Sequence, residues 1–162
     1  RFNNKEFLGW LKDASSKDKN KTPPRKLEGE HLASFQRGEE VYQGEAGCIG
    51  CHGIEGTGLP NLGPPLDGSD WVTGDTTRLI SVLLHGLMGP ITVSGERYAP
   101  PAAMPGLGQN PTISDQNLAD VATYLRQGWD NRAPAVPLKE VQSTRAATKD
   151  RNGALYTEAD FK

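Results

Sequence analysis

The sequence predicts an all-α domain: three main helices joined by long Gly- and Pro-rich loops. Three observations lead there. Apolar residues recur at helical spacing in three separate stretches, whereas period-two alternation is confined to the short piece Ile91-Thr92-Val93, closed by Gly95. The chain also carries 19 glycines and 12 prolines in 162 residues. That is about a fifth of the chain, against an ordinary ~12%, so loops carry much of the ordered structure.

The elements follow in chain order. Residues 1–30 read as an N-terminal arm or linker, polar and charged from Ala14 through Lys21 into Pro23-Pro24. Within it Phe2, Phe7, Leu8, Trp10 and Leu11 suggest an amphipathic turn or the end of a preceding domain. From Glu30 a helix is expected, with Leu32, Phe35, Gly38, Tyr42 and Ala46 on one stripe. A glycine costs about 1 kcal/mol in a helix, so Gly38 on the apolar stripe predicts another helix crossing there at close range. A second helix runs from Asp75 as N-cap through Leu84 to a stop at Gly86. The third begins after Ser114, with Leu118, Val121, Ala122, Leu125 and Trp129 on one face. Residues 31–130 make up the domain proper. Residues 131–162 form a C-terminal extension, packed on the domain or partly extended, with Pro134 to Pro137 extended and a short polar helix from Lys139 to Ala147.

Composition removes several classes of function. The aliphatic, aromatic and cysteine residues are 35% of the chain, which with glycine is a globular composition. Residues 41–128 hold only Arg78, Arg97 and Arg126 against eight acids, and no lysine occurs between Lys26 and Lys139. Nucleic-acid binding needs a clustered cationic face and is excluded. The stretch Leu79 to Ile91 is interrupted by His85, Gly86, Gly89 and Pro90 and is too short to span a membrane. Arg1 opens no signal peptide, so the expectation is a processed product or a piece of something longer.

The two cysteines stand together in Cys48-Ile49-Gly50-Cys51-His52. The spacing admits a covalent c-type haem, half of a zinc site, or a redox dithiol. Zinc needs a second ligand cluster, and only His31 and His85 remain, singly placed. A dithiol wants a strand before it and a helix after it in a βαβ unit, which the pattern lacks. For haem, the two thiols add to the two porphyrin vinyl groups and the adjacent histidine meets the iron. The haem would also serve as the staple a Gly-rich chain needs. Pro64, twelve residues beyond His52, offers a carbonyl with no competing N–H and can fix the imidazole through its other nitrogen. Among Met88, Met104, His31 and His85, Met104 is the candidate sixth ligand, since its Ala102 to Gly108 loop can lay a soft thioether across the opposite haem face. Met88 reads as core filler, His85 as a helix-end residue and His31 as solvent-facing.

Taken together, Gly38-x-x-x-Tyr42, Cys48-x-x-Cys51-His52-Gly53, Gly63-Pro64-Pro65-Leu66, Met104-Pro105-Gly106 and Tyr124-Leu125-Arg126 resemble class I cytochrome c over about residues 32 to 129. More narrowly, Ser69-Asp70-Trp71-Val72, the run Leu84 to Val93 and Trp129-x-Asn131 look like the C-terminal haem module of PVC-type haem-binding CxxCH dehydrogenases. The resemblance implies the class I cytochrome c fold, one haem c held by thioethers at Cys48 and Cys51, and His52 and Met104 as axial ligands. It further implies electron transfer as the task and an extracytoplasmic location such as the periplasm. The partner expected is a redox protein or a fused dehydrogenase domain, and the chain itself is expected to be a monomer rather than an enzyme. The rival readings are a haem peroxidase or gas sensor in which Met104 is displaced, and a structural zinc or disulfide module.

Two expectations concern the haem periphery. Propionates need donors, and Trp71 and Arg78, with Tyr98 or Arg97, are the candidates. Without a lysine ring, docking is expected through an apolar frame of Ile49, Ile54, Leu59, Pro60, Leu62, Ala102, Ala103 and Leu107, on a module tethered to its donor.

Overall fold

The computed structural model describes residues 26–162, so the expectations placed on residues 1–25 lie outside it. Helix α1 spans Gly29–Gln43 and ends at Gly44, before Ala46, the last residue of the expected stripe. A single helical turn, α2, spans Ile49–His52. Another short helix, α3, spans Asp70–Thr73 and is capped by Ser69, whose side chain accepts from Trp71 N–H. Helix α4 spans Thr76–His85; the Asp75 carboxylate caps it by accepting from Arg78 N–H, and Gly86 at φ 86° stops it. Helix α5 spans Asp115–Gln127 and starts from a reciprocal capping box between Ser114 and Asn117. Helix α6 spans Leu138–Ala147, followed by 3₁₀ turns at Lys149–Arg151 and Glu158–Phe161.

Four short strands complete the described residues. β1 (Gly86–Leu87) pairs antiparallel with β4 (Met104–Pro105), and β2 (Ile91–Val93) pairs antiparallel with β3 (Glu96–Tyr98). The second pair is a hairpin turning at Ser94 and Gly95, both at positive φ, as a two-residue turn demands.

The core lies where α1 crosses α5 and where α4 and α6 close on them. Val41, Tyr42, Leu83, Leu84, Leu118, Val121, Ala122 and Leu125 are all buried there. Gly38 sits at the crossing: a Cβ at that position would overlap the backbone carbonyl of Asp120 and the Cβ of Tyr124. The crossing also carries a buried carboxylate. Asp120 accepts from Arg37 Nε (2.7 Å), Ser34 Oγ (2.7 Å) and Gln116 Nε2 (2.9 Å). Although α6 reads as polar, its Val141 is fully buried and, with Val136, belongs to the same core.

Candidate functional site

Between α4, the β2 strand, the C-terminal half of α5 and the loops around Pro64 and Met104 lies one apolar cavity, about 1310 Å³ including its open mouth. Cys48, Cys51, His52 and Met104 all line it. The single turn α2 brings the first three together: Cys48 O accepts from both Cys51 N–H (3.2 Å) and His52 N–H (3.0 Å), which puts residues i, i+3 and i+4 on one face. Tyr42 and Trp129 fix the chain just beyond. Tyr42 O–H donates to Gly53 O (2.6 Å), the Trp129 indole N–H donates to Ile54 O (3.0 Å), and the two rings meet edge to face.

His52 is buried, and its Nδ1 lies 2.7 Å from Pro64 O. The close approach of the two segments depends on Gly63, since a Cβ there would press on Cys51 O and the His52 ring. With Nδ1 engaged, Nε2 is the ring nitrogen left for a metal. Burial lowers the imidazole's proton affinity from its ordinary value, and this favours the neutral ring that ligation needs. Burial likewise pushes the Cys48 thiol up to about 11. A thioether carries no charge to desolvate and suits that environment better than a thiolate.

Met104 is positioned by backbone. Its strand β4 pairs with β1, and the next residues dock on the end of α4, with Leu107 N–H donating to Leu83 O (2.8 Å) and Gly108 N–H to Leu84 O (2.9 Å). Met88, expected as core filler, is 47% exposed and absent from the cavity lining. It follows β1 on the outside, where the chain's neighbour is Tyr156. Leu107, expected in the docking frame, is instead buried in the core by the same docking of its loop onto α4. His31 is exposed, and His85 is the last residue of α4.

The donors expected at the propionates each have a partner within the protein. Trp71 lines the cavity, but its indole N–H donates to Thr92 O (2.8 Å). Arg78 stays outside the lining, stacked over the Trp71 ring at 4.5 Å and donating to Asp70 O (2.7 Å). Tyr98 O–H donates to Glu96 (2.9 Å), and Tyr98 and Arg97 border a neighbouring groove along Thr57 to Pro65. Arg78 and Tyr98 found acceptors close in sequence, whereas Trp71 and Arg97 found theirs in other elements, at Thr92 and Glu158.

Two supporting residues escaped the sequence reading as site elements. Arg126, 4% exposed, donates to Val72 O (2.8 Å), Gly74 O (2.9 Å) and Pro134 O (2.8 Å), and so holds the wall that Val72 contributes. Asn131 accepts from Gly68 N–H and donates to Leu66 O and Leu125 O, which ties the loop beyond Pro65 to the end of α5. A buried Arg and an Asn at loop positions carry no periodic signal. Only their place in the quoted motifs marked them.

The donor set fits a covalent haem: two adjacent thiols, one neutral imidazole with its second nitrogen tied down, and a thioether, all on one apolar cavity. A zinc site does not fit, because among the described residues no three His, Cys, Asp or Glu side chains gather closely enough to hold a metal ion. No described helix is long and apolar enough to cross a membrane.

A family model described as "Cytochrome c" matches residues 35–129. The chain is 41% identical over 111 residues to the "Alcohol dehydrogenase (quinone), cytochrome c subunit" of Gluconobacter oxydans (strain 621H), covering 67% of this chain and 22% of that protein. It is 37% identical over 117 residues to the "Gluconate 2-dehydrogenase cytochrome c subunit" of Pantoea cypripedii, covering 68% of this chain and 24% of that protein. To the "Cytochrome c-552" of Thermus thermophilus it is 34% identical over 96 residues, covering 57% of this chain and 67% of that protein. The chain therefore spans about a fifth to a quarter of the length of the dehydrogenase subunits it matches.

Proposed function

Since this chain belongs to the cytochrome c family and is an electron-transfer domain carrying one covalent haem c through Cys48 and Cys51, we propose that it relays single electrons from a dehydrogenase, fused or associated, to a further acceptor. The bound haem supplies the Fe(III)/Fe(II) couple. In this reading His52 through Nε2 and Met104 through its sulfur would hold the iron. The observation that carries it is the His52 to Pro64 O bond of 2.7 Å on the same cavity that Met104 lines. Two protein ligands leave the iron no open position, so the residues around it hold and insulate a redox centre rather than bind substrate. Pro64 keeps the imidazole oriented, the pairing of β1 with β4 holds the thioether, and the apolar walls keep water out and so favour the less charged ferrous state.

The donor assignment follows from the relatives whose names join a cytochrome c subunit to a dehydrogenase. The narrower likeness to the PVC-type module rests on the Trp71 segment, the run Leu84 to Val93 and the Trp129-x-Asn131 ending. An extracytoplasmic location, such as the periplasm, goes with this reading because haem attachment to such motifs takes place there in bacteria. Mixing the haem-loaded domain with a substrate-reduced dehydrogenase from the same source tests the proposal. Reduction of the haem within the dehydrogenase's turnover time is expected. Failure to accept electrons, while a soluble cytochrome c in the same mixture is reduced, would remove the dehydrogenase as donor.

A further inference from the structure

Residues 148–162 run back from α6 and pack on β1 and Trp71, which contribute to the cavity lining. Tyr156 N–H donates to Gly86 O (3.1 Å) and Met88 N–H donates to Tyr156 O (2.8 Å), so β1 is bonded to this strap as well as to the Met104 strand. Phe161 meets the Trp71 ring edge to face at 5.6 Å, and Tyr156 packs on Phe161 at 4.7 Å. Between them stands Glu158, mostly buried at its carboxylate end. It accepts from Thr92 N–H (2.8 Å), from Arg97 (2.7 Å) and from Lys162 (3.1 Å). The carbonyl of the same residue, in the following peptide group, receives the Trp71 indole N–H at 2.8 Å. A carboxylate and an indole thus hold the two backbone polar groups of one residue, a chain of contacts that ends at the cavity wall.

We propose that Glu158 is a positioning residue for the haem site: by anchoring the backbone of Thr92, and through it Trp71, it seals one wall of the cavity and thereby raises the haem's reduction potential. With Thr92 N–H tied to the carboxylate, the backbone of that residue is held where its carbonyl meets the indole. That carbonyl in turn occupies the indole donor, which otherwise would recruit water into an apolar cavity. Dry walls disfavour the extra charge of ferric haem, so loosening the chain favours the oxidised form. Glu158 is also an anion. Through space alone, its removal would favour the reduced form, and the two routes therefore differ in sign.

The test is made on the haem-loaded protein with Glu158→Gln, Trp71→Phe and the double variant, each checked by thermal unfolding. Hydrogen exchange of the Trp71 indole, assigned by its loss in Trp71→Phe, is expected to quicken at least ~10-fold in Glu158→Gln. At the wild-type midpoint the ratio of oxidised to reduced haem is expected to rise about threefold, a one-electron shift of about 28 mV. In the Trp71→Phe background the same substitution is expected to lose that rise. Unchanged indole exchange, or a shift of equal size in both backgrounds, or a shift toward the reduced form, would overturn the proposal. Should Glu158→Gln not yield folded protein, Glu158→Asp withdraws the carboxylate from Thr92 without removing its charge. It is expected to shift both readouts in the same directions, and no change in either would overturn the proposal equally.

Discussion

His52 and Met104 are held by different kinds of restraint, one side chain to backbone and one purely backbone. The imidazole is oriented by Pro64 O, whereas the thioether goes where the pairing of Leu87 with Met104 takes it. Met104→Ala is therefore expected to leave the fold standing, lower the reduction potential and let ferrous haem bind carbon monoxide, as read by redox titration and a carbon monoxide difference spectrum. Met88→Ala, at an exposed site outside the cavity, is expected to do neither. The opposite pattern would move the ligand assignment to Met88. His85 presents a second residue-scale consequence. Thr148 Oγ1 donates to Thr144 O (2.8 Å), so at 2.8 Å from His85 it accepts from Nε2–H, and Nδ1 is left buried without a partner. Burial, then Arg151 and Arg145, hold this imidazole below its ordinary 6.5. The unfolded chain thus takes up the proton first, and the contribution of neutral His85 is full above about pH 6.5 and declines as pH falls below it. Thermal midpoints measured from ~pH 8 to ~pH 5 are expected to fall on the acid side, and less so in His85→Gln.

Among the elements, the crossing of α1 and α5 depends most on a single position. Backbone approaches backbone at Gly38, so an added side chain must push the helices apart or distort Asp120, whose carboxylate anchors Arg37 and Ser34 at the same place. Gly38→Leu is expected to cost at least about 1–3 kcal/mol through overpacking, measured by thermal or denaturant unfolding of the haem-loaded protein. An unchanged midpoint would contradict this crossing. The glycine on an apolar helical stripe made the crossing legible in the sequence. The Asp120 network was not legible, since its partners Ser34 and Arg37 lie more than eighty residues away. The one-turn helix α2 was also invisible to periodicity, because four residues contain too little of a period to register.

For the whole molecule, the docking face expected from the sequence comprises Leu62, Ala102 and Ala103 of the cavity lining, Leu59 and Pro60 of the neighbouring groove, and Ile54. Ile54 (59%), Leu59 (37%) and Leu62 (48%) are exposed, and Pro60, Ala102 and Ala103 with them, while the same region has no lysine to offer. An apolar contact of this kind gains little from long-range charge. Electron exchange with the proposed dehydrogenase donor is therefore expected to depend weakly on ionic strength and to slow in Leu59→Glu, both measurable by stopped-flow reduction. A steep salt dependence with normal transfer in Leu59→Glu would place docking elsewhere.

The sequence by itself determined the chemistry and the scaffold of this domain. Cys48, Cys51 and His52 are adjacent in the chain, so one turn of backbone suffices to bring them together. The three main helices carry their own periodic and capping signals, from Asp75 to the Ser114 box. Tertiary structure alone decided how the cavity is finished. Trp71 finds Thr92, Glu158 finds the same residue from 66 residues away, Arg126 binds the distant carbonyls of Val72 and Gly74, and a polar-looking tail buries Val141 and packs Phe161 on Trp71. These are satisfactions of individual polar groups and gaps. Each depends on which donor and acceptor happen to meet once the helices have packed, and no spacing along the chain encodes that meeting.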